Sequence, residues 1–188
     1  MKKIGITGSI ASGKSTATKL LSTGRGPLFS ADNVVKKLYQ NKNFRKLILK
    51  KFNIKNTPGF KNLLKKKVLH DNKNIKKLEK MTHPLVRKKM KRFSMINKNK
   101  KILFFEIPLL IESKLMSFFD VIIFIKAKKE LRLKRFKSKG GKKKLFDLLN
   151  RKQMSDIKKI KFCDHVVVNE KKISILKKDL LDIIRKYE

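Results

Sequence analysis

The chain has 188 residues and a formal net charge of +38, from 52 Lys and Arg against 14 Asp and Glu. That length suits one domain with elaborations, and 40% hydrophobic residues are enough for a core. No apolar run approaches the roughly 20 residues of a membrane span. The loop at residues 8–15 interrupts any signal-peptide core. The single cysteine, Cys163, excludes an internal disulfide and fits a reducing compartment, so a cytoplasmic protein without a membrane partner is expected. Cys163 borders an apolar run and reads as a structural thiol rather than a nucleophile. Of the 52 basic residues 44 are lysine, spread through every segment outside the strands. Asn, Ile and Phe are plentiful and Trp is absent, the pattern that A/T-rich codons favour. The charge therefore reads as lysine filling tolerant surface sites. It predicts nonspecific association with polyanions at low salt and no specific nucleic-acid partner.

The first element is a short apolar strand, Ile4-Gly5-Ile6, and a helix opens at Thr16-Ala17-Thr18-Lys19-Leu20-Leu21. Between them stands Gly8-x-x-x-x-Gly13-Lys14-Ser15, a P-loop in its proper strand–loop–helix context. Gly8 and Gly13 permit backbone conformations that a Cβ would forbid. The loop amides converge on phosphate at the positive end of the helix dipole. Lys14 is expected to reach the β- and γ-phosphates and the Ser15 hydroxyl to hold Mg²⁺. Gly8, Ala11, Ser12, Gly13, Lys14, Ser15 and Thr16 are the expected ATP contacts. Ser9 can occupy its place if its φ is negative, which leaves the loop reliant on Gly8 and Gly13.

After a turn at Gly24-Arg25-Gly26-Pro27, a short second strand ends at Asp32. From Asn33 to about Lys101 apolar residues recur at helical spacing, as in Phe44, Leu47, Ile48 and Phe52. Breaks are expected at Asn56-Thr57-Pro58-Gly59 and at His83-Pro84, the latter a bend or helix start. A third strand runs from Lys101 to Pro108 and a fourth covers Asp120 to Ile125. Both are continuous apolar runs of the kind buried on both faces of a parallel sheet. A basic helical stretch from Lys128 to Lys161 turns at Gly140-Gly141. A last strand, His165 to Asn169, and a last helix, Ile173 to Tyr187, close the chain.

This alternation predicts a three-layer α/β P-loop NTPase with a parallel sheet, and ligands at the carboxyl ends of its strands. The expected division is a core of residues 1–32, 102–126 and 162–188, an acceptor-binding helical insertion at about 33–101, and a lid at about 127–161. The strand-end rule selects the P-loop, Asp32 and the segment from Glu106 to Glu112. Asp32 is the candidate to orient an attacking hydroxyl and accept its proton; an N-cap of the next helix is its other reading. Glu106 stands where a Walker B carboxylate would. Ile107, Pro108, Leu109 and Leu110 offer an apolar wall or plain core, and Glu112 a hydrogen bond to the acceptor or to a neighbour.

The ordered set GITGSIASGKST at 5–16, SADNVVKKL at 30–38, MTHPLVRKKM at 81–90, EIPLLIES at 106–113, LRLKR at 131–135 and Gln153 resembles the dephospho-CoA kinase family over nearly the whole chain. That family transfers the γ-phosphate of ATP to the ribose 3′-hydroxyl of dephospho-CoA. The resemblance implies ATP and dephospho-CoA as small-molecule substrates and a base at Asp32. It puts His83, Pro84 and Leu85 at the acceptor pocket, and Arg135 on the lid toward the phosphates. A monomer is expected.

Two departures stand out. The first carboxylate of the family's Asp-Ala-Asp is Ser30 here, so Asp32 is alone in that motif. Beyond Arg135 the lid positions read Lys137, Lys139 and Lys159, and lysine lacks the bidentate fork of arginine. Lys139 is the expected ATP contact, with a raised KM for ATP that Lys139→Arg should lower; a lid arginine is worth roughly 5- to 30-fold. Two other readings stay open: a small P-loop kinase with a different acceptor, and a basic nucleic-acid-binding ATPase. The second would want aromatics among the basic stretches, and residues 134–144 hold only Phe136.

Overall fold

The continuous apolar runs become the middle of a parallel sheet. In a computed structural model that describes residues 1–188, the side chain of His70 excepted, five strands form: β1 (Lys2–Gly8), β2 (Leu28–Ser30), β3 (Ile102–Glu106), β4 (Val121–Lys126) and β5 (His165–Val168). They lie in the order β2-β3-β1-β4-β5, every pair parallel. Their carboxyl ends therefore share one edge of the sheet. β1, flanked by β3 and β4, is buried from Ile4 to Gly8, and β3 along its whole length.

Helices cover both faces. On one face Ala17 and Leu21 of α1 (Lys14–Ser22) pack on Ile4, Ile6, Ile102, Phe104, Ile123 and Ile125. Leu176, Leu180 and Ile184, at four-residue spacing on the C-terminal helix Ile173–Ile184, join the same core. On the other face Phe105 meets Phe29, Phe118 and Phe119, with ring centroids 5.4–5.7 Å apart. No helix among the described residues is long and apolar enough to cross a membrane.

The chain divides into two compact units, Met1–Ser30 with Ser94–Glu188, and Ala31–Phe93. The second unit holds α2 (Ala31–Leu38), α3 (Lys42–Phe52), α4 (Phe60–His70) and most of α5 (Asn72–Ile96). Phe44, Ile48, Phe52, Ile54, Phe60 and Leu64 form its own core. Asn41 caps α3 by accepting from the Phe44 N–H at 3.0 Å.

Two boundary expectations are corrected. α5 is continuous through His83-Pro84, so no helix starts there. Proline removes one intrahelical bond, at a cost of about 3 kcal/mol. The buried stripe of Thr82, Val86 and Met90 nevertheless continues across it at four-residue spacing, and burial of Val and Met side chains at about 1.5–3 kcal/mol each offsets that loss. The second correction concerns α2, which begins at Ala31, directly after β2. Asp32 is thus inside the first turn and is not the N-cap, though its charge still suits the positive end of the helix.

Candidate active site

The loop between β1 and α1 is closed by backbone bonds, with Ser12 N–H donating to Ser9 O at 3.1 Å. Two glycines are required by geometry. A Cβ on Gly8 (φ +150) would sit 2.4 Å from the Ile125 carbonyl oxygen, and one on Gly13 (φ +96) 2.1 Å from Asn169 Nδ2. Ala11 also has a positive φ, 58°, and is the loop's one left-handed residue with a side chain. Ser9 is not among the positive-φ residues, as its place in the loop demands.

Lys14 curls over this loop, its Nζ donating to the Gly8 and Ser9 carbonyls at 2.9 Å each. The ammonium thereby lies at the N-terminus of α1, where unpaired amides and the helix dipole favour phosphate. Ser15 Oγ donates to Glu106 Oε1 at 2.5 Å. Glu106 closes β3 and is buried, so the strand's end fixes the hydroxyl. Both are hard oxygen donors, the chemistry that Mg²⁺ requires.

After β4 the chain forms α6 (Lys129–Ser138), α7 (Lys143–Lys152) and the short α8 (Asp156–Ile160). Arg135 of α6 reaches the P-loop: Nη1 donates to Ser12 O at 3.3 Å and Nη2 to Asn169 Oδ1 at 3.5 Å. Asn169 Nδ2 donates to the same Ser12 carbonyl at 2.8 Å. Arg132, buried, donates to Asn150 Oδ1 at 2.8 Å and to Ala127 O at 3.1 Å, tying α6 to α7. Gln153 Oε1 accepts from the Ile10 N–H at 2.9 Å, and Asp156 accepts from the Ser9 hydroxyl.

These contacts bring Gly8, Ser12, Gly13, Lys14, Ser15, Glu106 and Arg135 together. Thr16 is exposed in the first turn of α1, and Lys139 is exposed at the C-terminal end of α6. Asp32, His83, Pro84 and Leu85 lie on the second unit. Asp32 is exposed, two residues beyond β2. His83 is half-buried, and its imidazole pKa is lowered from the usual 6.5, first by burial. Glu79 raises it and Arg87 lowers it, one turn away on either side.

Several assignments change. Ile107 and Leu110 are core residues, 4% and 0% exposed: the Ile107 N–H still donates to Ile6 O beside β1, and Leu110 lies against Gly5 of that strand. That leaves Pro108 and Leu109, half-buried, as the reachable part of the apolar wall. Leu85 packs partly against the second unit's own core. Lys159 is not on an open lid surface: it is fully buried, with Nζ 2.7 Å from Glu112 Oε1. The Cys163 thiol donates to the Lys159 carbonyl at 3.3 Å and is pushed up to about 12 by burial and then Asp164, as suits a structural thiol. Asn169 and Asp156 stand outside the motifs that the sequence offers, whereas Arg132 and Gln153 fall on its family-like pieces. The strand-end rule would have found Asn169, which follows β5; nothing local marks Asp156.

A family model for dephospho-CoA kinase matches residues 2–174. A dephospho-CoA kinase of Bartonella quintana is 35% identical over 189 residues, covering 98% of this chain and 97% of that relative. A crystal structure from Thermus thermophilus superposes with a TM-score of 0.82 at 28% identity, covering 100% of this chain and 98% of the other. A dephospho-CoA kinase from Campylobacter jejuni gives a TM-score of 0.64 at 26% identity, covering 100% and 97%. With a P-loop, a serine–glutamate pair and an arginine assembled at one sheet edge, and a family match across nearly its full length, this chain belongs to the dephospho-CoA kinase family.

Proposed function

We propose that this chain transfers the γ-phosphate of ATP to the ribose 3′-hydroxyl of dephospho-CoA, giving coenzyme A and ADP, as a monomer in the cytoplasm. The observation that carries the phosphoryl-transfer half is the P-loop with Lys14 folded over it and Ser15 held by Glu106. Family membership supports the acceptor. Phosphoryl transfer needs charge neutralisation and in-line positioning more than covalent help. The loop amides and Lys14 cradle the β- and γ-phosphates, and Arg135 adds charge from the lid side. Ser15, with Glu106 behind it, would hold Mg²⁺, which would supply charge neutralisation at the phosphates. Lys139 contributes a further, nondirectional charge.

Asp32 orients the 3′-hydroxyl and takes its proton late in a loose transition state. Its place just past β2, in a helix's first turn, supports this role. Family membership supports an acceptor-side role for His83 and Pro84 on the second unit, and for Pro108, Leu109 and Glu112 after β3. His83 is neutral at pH 7 on the direction of its shift, which suits a hydrogen-bonding partner and not a phosphate clamp.

The test is ADP release by the purified chain with Mg²⁺-ATP and dephospho-CoA, with Lys14→Ala as the blank. Turnover should depend on dephospho-CoA and vanish in Lys14→Ala. ATP binding without dephospho-CoA-dependent turnover would refute the acceptor assignment and favour another hydroxyl acceptor.

A further inference from the structure

Of the chain's 44 lysines, only two among the described residues are buried: Lys14 at 8% exposure and Lys159 at 0%. Lys14 is explained by the P-loop. Lys159 has no such account, and a buried ion pair is not explained by stability, because desolvating both charges costs about as much as their attraction returns. Its placement supplies a reason. Lys159 Nζ lies 2.7 Å from Glu112 Oε1, and the Met154 N–H donates to that same oxygen at 3.3 Å. Within the same short stretch, Gln153 Oε1 takes the Ile10 N–H at 2.9 Å and Asp156 takes the Ser9 hydroxyl. Residues 153–159 thus alternate between two loops. Residues 153 and 156 hold the P-loop, while 154 and 159 hold Glu112 in the segment after β3. The other carboxylate oxygen, Glu112 Oε2, is buried with no hydrogen-bond partner among the described residues.

We propose that Lys159 and Gln153 are positioning residues that couple acceptor binding to ATP binding through the 153–159 bridge. The proposal rests on the dephospho-CoA reading of the site. Glu112 is held on its Oε1 side, its Oε2 is buried without a donor, and part of the side chain stays exposed, so an acceptor that draws on this carboxylate loads the Lys159 pair. The α8 turn carries that load to Gln153 and Asp156, which set the outer P-loop at Ser9 and Ile10. The bridge meets the loop at Ser9 and Ile10.

The experiment titrates the full chain with Mg²⁺ and a non-hydrolysable ATP analogue, with and without saturating dephospho-CoA. It compares wild type, Lys159→Met, Gln153→Ala and the double variant. In wild type dephospho-CoA should tighten the analogue about 5-fold or more, the lower end of typical coupling between sites, and each single variant should reduce the effect to under about 2-fold. The double variant should lose no more than either single one, because both cut the same bridge. A merely structural pair would lower thermal stability and leave the coupling ratio intact. If Lys159→Met fails to fold because Glu112 is left buried and unpaired, Gln153→Ala, whose side chain is half-buried, carries the test alone. Coupling that persists in Gln153→Ala overturns the proposal, as does a wild type that turns over dephospho-CoA with no change in analogue affinity. Analogue binding with no dephospho-CoA binding or turnover in wild type would instead strike the acceptor assignment and take the coupling with it.

Discussion

Glu106 offers the sharpest test of the nucleotide site, because its replacement should move activity and stability apart. The carboxylate is 7% exposed and accepts the Ser15 hydroxyl proton at 2.5 Å. That bond leaves the Ser15 oxygen lone pairs available to a cation. In Glu106→Gln the amide oxygen can still accept, and only the charge is lost. A hydrogen bond to a charged group is worth about 1.5–3 kcal/mol and a neutral one about 0.5–1.5. The difference of about 1–1.5 kcal/mol predicts a fall of about 5- to 13-fold in kcat/KM for ATP. Glu106→Ala removes the bond entirely and should cost about 10- to 150-fold. Stability should move the other way for the glutamine variant, whose neutral side chain no longer carries a buried charge with a single hydroxyl partner. The assay is steady-state ADP release at saturating dephospho-CoA over a Mg²⁺ titration, alongside thermal denaturation. The Mg²⁺ concentration for half-maximal rate should rise in both variants while Glu106→Gln melts at or above the wild-type temperature. If both variants hold kcat/KM within about 2-fold of wild type across the titration, the Ser15–Glu106 pair is structural and the reasoning fails.

Ala11→Gly should stabilise the chain. Left-handed backbone at φ 58 costs an alanine about 1–2 kcal/mol, glycine gives back about 0.4–1 through the unfolded chain, and a net gain near 0.5–1 kcal/mol raises Tm by about 1–4 °C. A lower Tm in differential scanning calorimetry would mean that the Ala11 methyl makes contacts worth more than the strain. His83 should titrate below 6.5 by NMR. Its lowered folded pKa contributes stability that is full above 6.5 and is lost as pH falls through the folded value, so His83→Gln should flatten that acid-side decline; a midpoint at or above 6.5 would contradict it. Cys163, pushed up to about 12, should react with iodoacetamide at pH 8 about two to three orders of magnitude more slowly than in the urea-unfolded chain. Equal rates in the two states would show the thiol to be open.

The parts of the site that were legible in the sequence are those whose chemistry is local. Gly8, Gly13, Lys14 and Ser15 fall within one strand–loop–helix unit, and their spacing alone fixes a phosphate cradle. The runs at Ile102–Glu106 and Val121–Lys126 had no polar alternation, which required burial on both faces and hence the middle of a parallel sheet. What failed was set by packing. Pro84 signalled a break, but the buried stripe beside it held the helix together. Ile107 and Leu110 could be read from the sequence as wall or as core, and only packing, which buries both, decides for core. The bonds from Gln153 and Asp156 to the P-loop span 143 and 147 residues, a separation at which no periodicity or motif carries information.

The same contrast gives the charge its meaning. Most of the lysines are solvated and say little about the chemistry, whereas the scarce carboxylates are informative. With 14 acids against 52 bases, opposite-charge surface pairing would be expected to consume every acid, and Arg25–Glu188, Lys128–Glu170 and Arg185–Asp182 are such pairs. Several acids instead hold backbone or hydroxyl donors at strand ends. Asp120 accepts from Lys3 N–H at 2.7 Å and Asp164 from Ile122 N–H at 2.7 Å, and Glu170, besides its pair with Lys128 Nζ, accepts the Lys128 N–H at 2.9 Å. Glu106 takes Ser15 and Asp156 takes Ser9. A bond of this kind satisfies a donor that folding has placed, and it keeps its value at an ionic strength that screens surface pairs. Stability in this highly basic chain therefore depends on where its few acids stand, and the two that meet the P-loop stand where phosphate chemistry needs a fixed geometry.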